Sequence, residues 1–167
     1  MSPDLRQRFL AGMSQAACTV NVVTTDGPAG RFGLTISAMA SVSADTPKPT
    51  LLVCAHHLAR ATQAIIANGV FCVNVLRDDQ SDISDCFAGR WRTADGDKFS
   101  CAHWTAGITG APRVVDPLVA FDCRVTSSQQ VGAHWVLFGT VEDIALARPG
   151  SPLIYANHAY GRMAACA

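Results

Sequence analysis

The sequence predicts an antiparallel, mainly β barrel carrying a few short helices. Three observations lead there: six or seven strand-like segments, three short helical segments, and no regular β–α–β alternation between them. At 167 residues with 49% hydrophobic side chains, the chain can bury a substantial core without disulfides or metal staples. We therefore expect one domain spanning 1–167.

The elements follow in order. From Asp4 to Gln15, Leu5, Phe9 and Met13 recur every four residues with Leu10 beside them, which gives one apolar helical face behind an acidic first turn. Thr19–Thr25 is rich in Val and Thr, 26–30 is turn chemistry, and Phe32–Ser43 resumes as a hairpin feeding one or two further strands. Two prolines bar 45–49 from a central strand, whereas Thr50–Ala55 is a compact apolar run. Ala61, Ile65 and Ile66 define a helix over Ala59–Asn68, capped by Gly69 in the left-handed region. Val70–Leu76 is a buried strand, and Ser81–Ala88 is a short helix closed by Gly89 that buries Ile83 and Phe87. Arg90–Pro112, with glycines at 96, 107 and 110, reads as an irregular surface excursion. Leu118–Ser127 and Trp135–Leu146 form two long strands around a turn near 129–132, and a short strand at 153–155 completes the set.

Charge excludes several functions. Thirteen basic side chains balance thirteen acidic ones and only 16% of residues are charged, so there is no electrostatic footprint for nucleic acid. That low charge, with a mean hydropathy of +0.20, points to surface buried between subunits, and we expect a homo-oligomer. The first ten residues carry Asp4, Arg6 and Arg8, and no run approaches a membrane span, so neither export nor membrane insertion is expected. The seven cysteines (18, 54, 72, 86, 101, 123 and 166) are odd in number and lack Cys-x-x-Cys spacing. They read as reduced, space-filling thiols of a cytoplasmic protein.

Familiar enzyme motifs are missing. Gly27, Gly30 and Gly33 have the wrong spacing for a dinucleotide loop and join strand to strand; no Walker sequence, Gly-x-Ser-x-Gly elbow or His-Glu-x-x-His helix occurs. His56 and His57 follow Cys54, but adjacent histidines on an extended segment point to opposite faces and do not easily share an ion. Cys101 and His103 lack further ligands nearby in sequence, so no metal is assigned.

The most informative stretch is Gly33–Ser43, GLTISAMASVS. Thr35, Ser37, Ala38, Ser41 and Ser43 are small or hydroxylic, which lets backbone approach a flat polar ring system while hydroxyls and amides bond its edge. This stretch is followed in order by LLVCAHHLARAT, NGVFCVNVL, Phe87-Ala88-Gly89, Asp97-Lys98-Phe99, Phe121-Asp122-Cys123, Gly132-Ala133-His134, Leu137–Ile144 and Tyr160-Gly161-Arg162. From Phe9 to Arg162 that series resembles the flavin reductase family, and most closely the short-chain NAD(P)H:flavin oxidoreductases that supply reduced flavin to two-component monooxygenases.

The resemblance implies a split β-barrel flavin-binding fold, usually a homodimer. It places the flavin ring and ribityl chain along Thr35, Ser37, Ala38, Ser41, Val42 and Ser43, and phosphate contacts near His57, Arg60 and Thr62. Many relatives have an Asn-Arg or Ser-rich sequence at that turn where this chain has Ala55-His56-His57-Leu58-Ala59-Arg60, so FAD and FMN both stay open. Lys98 and Phe99 match a segment near the flavin, while His134, Tyr160, Gly161 and Arg162 match the nicotinamide site. NADH is favoured over NADPH, and Arg60, Arg90, Arg92 or Arg162 could each meet a 2′-phosphate. The implied partner is a separate flavin-dependent monooxygenase that receives reduced flavin. Hydride transfer between two stacked rings needs no protein nucleophile, which agrees with the lack of a conspicuous acid–base pair. Two other functions compete: an electron carrier on the same barrel without a nicotinamide site, and a thiol-dependent redox enzyme.

Overall fold

The computed structural model describes residues 4–164, so Cys166 lies outside the described residues, as do 1–3 and 165–167 of the expected domain. The helices are α1 (Leu5–Gln15), α2 (Arg60–Asn68) and α3 (Ser81–Phe87), with a 3-10 turn at Lys98–Cys101. The strands are β1 (Cys18–Thr19), β2 (Asn21–Thr25), β3 (Phe32–Ile36), β4 (Met39–Ser43), β5 (Thr50–His56), β6 (Val70–Val75), β7 (Trp104–Ala106), β8 (Pro112–Val114), β9 (Val119–Val131), β10 (His134–Leu146), β11 (Leu153–Ala156) and β12 (Ala159–Arg162).

Seven strands form one antiparallel sheet in the order β3-β2-β6-β9-β10-β5-β4. Its two edges, β3 and β4, are consecutive in the chain and joined only by Ser37-Ala38, so the sheet curls until its ends meet through that link. The ladder does not close across it. The mainly β, antiparallel class is therefore as expected, with the barrel split between β3 and β4.

Alternation places the core. Val23, Val53, Phe71, Val73 and Leu137 point to the concave face with Ile65 of α2, whereas Val20, Val22, Leu76, Phe87 and Phe99 pack outside it beneath α3. β2 and β6 are buried on both faces, which suits their β-branched content. The predicted left-handed cap is present, with Gly69 at φ +70° donating to Ile65 O, whereas Asp4, expected in an acidic first turn, is instead the N-cap of α1, its carboxylate accepting from Gln7 N–H at 2.7 Å.

Four expectations are corrected. The excursion over 90–112 is not structureless, because Trp104–Ala106 pairs with Pro112–Val114 and Trp104 packs against Phe87 and Phe99. Residues 129–131 belong to β9, and the turn is only Gly132-Ala133, with Gly132 at φ +58°. The C-terminal strand has a partner the sequence did not declare, β12, across a turn at Asn157-His158. His56 and His57 do not diverge either: β5 ends at His56, the chain turns, and the two rings stand 5.0 Å apart.

Candidate functional site

β3 is an edge strand, so one row of its main-chain N–H and C=O groups has no strand beyond it among the described residues. Three cavities follow it in series. One of about 470 Å³ is lined by Arg31, Gly33, Leu34, Arg60, Lys98 and Phe99. The next, about 270 Å³, shares Leu34 and adds Thr35–Ala38, Cys54, His56 and His134. The third, about 220 Å³, shares Thr35, Ile36 and Ser37 and adds Ser84, Arg90, Tyr155 and Tyr160.

The first cavity is the cationic end. Arg31 is paired with Asp97 at 2.8 Å and stacks 4.4 Å over Phe99, while Lys98 Nζ donates to Phe87 O at 2.9 Å. Arg60, at the first position of α2, is exposed and makes no ion pair among the described residues, which leaves its charge available to an anion. Gly33 is required by close packing: a Cβ there would stand 2.5 Å from the Phe87 ring. Phe87, Phe99 and Trp104 meet edge-to-face behind it, with centroids 5.1 to 5.4 Å apart.

At the other end two groups flank Thr35–Ser37. His134 opens β10 directly opposite His56 of β5, and the rings are T-shaped at 5.1 Å. On the far side, the Tyr160 hydroxyl lies 2.6 Å from Asp85 Oδ1, 2.8 Å from Ser84 Oγ and 3.1 Å from Arg90 Nη1. Arg90 also donates to Asp85 at 2.7 Å. Partial burial, reinforced by the bond to Asp85, raises the Tyr160 phenol above its ordinary pKa, and that same carboxylate raises Arg90. Thr35 joins the network, its hydroxyl donating to Ser84 O at 2.7 Å.

Residues 13–164 match the model of the flavin reductase like domain. The chain belongs to the flavin reductase family. It is 39% identical over 159 residues to a protein of Stutzerimonas stutzeri named FMN reductase (NADH) RutF, covering 95% of this chain and 89% of that one. Among solved structures it is similar to the flavin reductase PheA2 (TM-score 0.85, 28% identity, 98% and 100% of the two chains). It is likewise similar to BorF, the flavin reductase component of a bacterial two-component tryptophan halogenase (TM-score 0.83, 30% identity, 94% and 98%).

Within this flavin reductase fold, the sequence-derived candidates separate into groups. Thr35, Ser37, Ala38, Arg60, Lys98, Phe99, His134 and Tyr160 line the three cavities along β3. Gly161 and Arg162 line a neighbouring cavity with Asp78 and Asp79, on the other side of Tyr160. Ser41, Val42 and Ser43 lie on β4, where Val42 is a bulge opposite β5, and they line none of these cavities. His57 contributes its main chain, donating to Ala133 O at 2.9 Å. Thr62 is fully buried with its hydroxyl donated to His56 O, so it braces the turn from beneath. The sequence did not single out Arg31, Leu34, Ser84 or Asp85 as site residues. For Ser84 and Asp85 no local signal exists, because they meet Tyr160 only across 75 or 76 positions.

Thiol chemistry finds no support. Cys18, Cys54, Cys72, Cys86, Cys101 and Cys123 are free, and burial raises the thiols of Cys54, Cys72 and Cys123 and pushes Cys101 up to about 12. No helix among the described residues is long and apolar enough to cross a membrane, and among them no group of three ligating side chains could hold a metal ion.

Proposed function

We propose that this protein is an NADH-dependent flavin reductase that reduces FMN or FAD as a dissociable substrate and releases it to a separate flavin-dependent monooxygenase. The observation that carries this is the edge strand β3, with cations at one end of its cavities and His134 with Tyr160 flanking the other. The RutF relative is named as an FMN reductase using NADH, and BorF as the reductase of a two-component system. Those names support the reading for a chain of the same family and fold.

The residues present fit a flavin. Leu34 and Phe99 offer an apolar bed, Arg60 and Lys98 offer charge for a phosphate, and the unpaired edge of β3 offers peptide groups to a polar ring edge. When bound together, flavin and nicotinamide supply the hydride chemistry. The protein's work is to bind and align. Thr35 has committed its proton to Ser84 and can only accept from a ligand, whereas the exposed Ser37 hydroxyl can donate. Ser37 and the free β3 amides therefore stabilise negative charge that grows at a ring edge. His134 and Tyr160 hold the nicotinamide from opposite sides of Thr35–Ser37, and this pairing favours a reductase over an electron carrier. Gly161 and Arg162 extend that side, and Ser41–Ser43 serve the flavin chain across the split.

The assembly is a homodimer in this reading. α1 buries none of its residues, and Leu5, Phe9, Leu10 and Met13 are 50 to 80% exposed along one face, which a second copy would cover. Light scattering that finds a monomer would remove this part.

Anaerobic stopped-flow mixing with NADH or NADPH and FMN or FAD tests the activity. Rapid bleaching of the oxidised flavin band with NADH is expected. Flavin binding without bleaching in any combination would leave the electron carrier. Retention of stoichiometric flavin through dialysis would overturn the dissociable substrate.

A further inference from the structure

We propose that His56 is a positioning residue that fixes the ring of His134 at the nicotinamide end of the groove; this rests on the role given to His134 above. The β5–β10 register sets His56 and His134 directly opposite each other, close enough for cross-strand side chains to touch. Their rings meet edge-to-face at 84° and 5.1 Å, and both line the cavity that holds Thr35–Ala38. His134 is exposed and makes no side-chain hydrogen bond among the described residues, and its ring meets that of His56.

His56 is itself held. Leu58 N–H donates to His56 Nδ1 at 3.2 Å, which ties the ring to the turn that follows β5. The His57 ring, 5.0 Å away and tilted by 43°, closes its other side. His57 N–H anchors Ala133 O, so the turn that carries His134 is tied to the same segment. His56-His57 thus forms a brace between α2, whose Thr62 hydroxyl and Gln63 amide donate to His56 O and His57 O, and the β9–β10 turn. Its consequence is a preorganised His134, and preorganised side chains lose less freedom when a ligand arrives.

The test is a double-mutant cycle on kcat/KM for NADH, with flavin affinity and thermal midpoint measured on every variant. His56→Ala is expected to lower kcat/KM for NADH about tenfold, more than it lowers flavin affinity, with the midpoint unchanged. In a His134→Ala background the same substitution should have no further effect. His56→Phe, which keeps a ring against His134, should restore most of the loss. His56→Asn, which keeps only an acceptor for Leu58 N–H, should not. Full additivity of the two alanine variants, or restoration by Asn and not by Phe, overturns the proposal while leaving the role of His134 intact. Wild-type kcat/KM in His134→Ala alone instead refutes that role, and the inference falls with it.

Discussion

β3 and β6 are the two neighbours of β2 in one sheet, yet they are opposites. Every residue of β6, Val70–Val75, is buried, while in β3 only Ile36 is buried and no strand lies beyond β3 among the described residues. Both pair antiparallel with β2, so that ladder does not distinguish them. Side chains do. β6 sends Phe71 and Val73 into the concave core and Cys72 out against Ala111 and Ala120, whereas β3 replaces bulk with Gly33 and Thr35. A sheet can thus spend one flank on stability and leave the other as an open edge, and the difference lies in a few small or hydroxylic residues.

Four substitutions should break or sharpen this contrast, the largest first. Phe71→Ala removes a fully buried ring from the centre of the core and should cost about 3–5 kcal/mol of unfolding free energy in a urea titration. A loss below about 1 kcal/mol would mean that β6 is not the stabilising flank. Gly33→Ala drives a Cβ into the Phe87 ring and should cost about 1–3 kcal/mol by overpacking. It should also weaken flavin binding, measured by fluorescence quenching, because Phe87 and Gly33 line the same cavity. Arg60→Ala should leave the unfolding free energy unchanged and weaken FMN about tenfold. Riboflavin, which lacks the phosphate, should bind the variant and the wild type alike, and an equal loss for both ligands would place the phosphate elsewhere.

The smallest effect concerns pH. Folding raises the Tyr160 phenol above its ordinary value of about 10, so its contribution to stability is fully present below about pH 10 and is lost as pH rises through the raised value. Tyr160→Phe should flatten that alkaline limb of the pH–stability curve. An identical limb in the variant would show that the hydroxyl network with Ser84, Asp85 and Arg90 does not govern it.

What was legible in the sequence follows the same division. VFCVNV announces a buried strand by itself, and Asn68-Gly69 announces its helix end, because burial on both faces and a left-handed cap are local facts. The Trp104–Val114 hairpin was hidden because Gly107 and Gly110 look like loop chemistry, while the contacts that hold it, Trp104 on Phe87 and Phe99, are tertiary. For the candidate site, the small and hydroxylic residues over Thr35–Ser43 and the series of motifs pointed to β3 and β4 together. Its fastenings did not show, since Ser84 and Asp85 reach Tyr160 only once α3 and the C-terminal hairpin have docked. The placement of Ser41–Ser43 was also invisible, because it depends on where the sheet splits and not on residue type.

Whether β3 is the edge that takes the flavin is decided by a crystal structure of the FMN complex. The ring is expected against Leu34–Ala38, the phosphate within hydrogen-bonding reach of Arg60 or Lys98, and His134 and Tyr160 on either side of the ring's far end. An FMN ring bound away from β3, with Thr35 and Ser37 untouched, would contradict it.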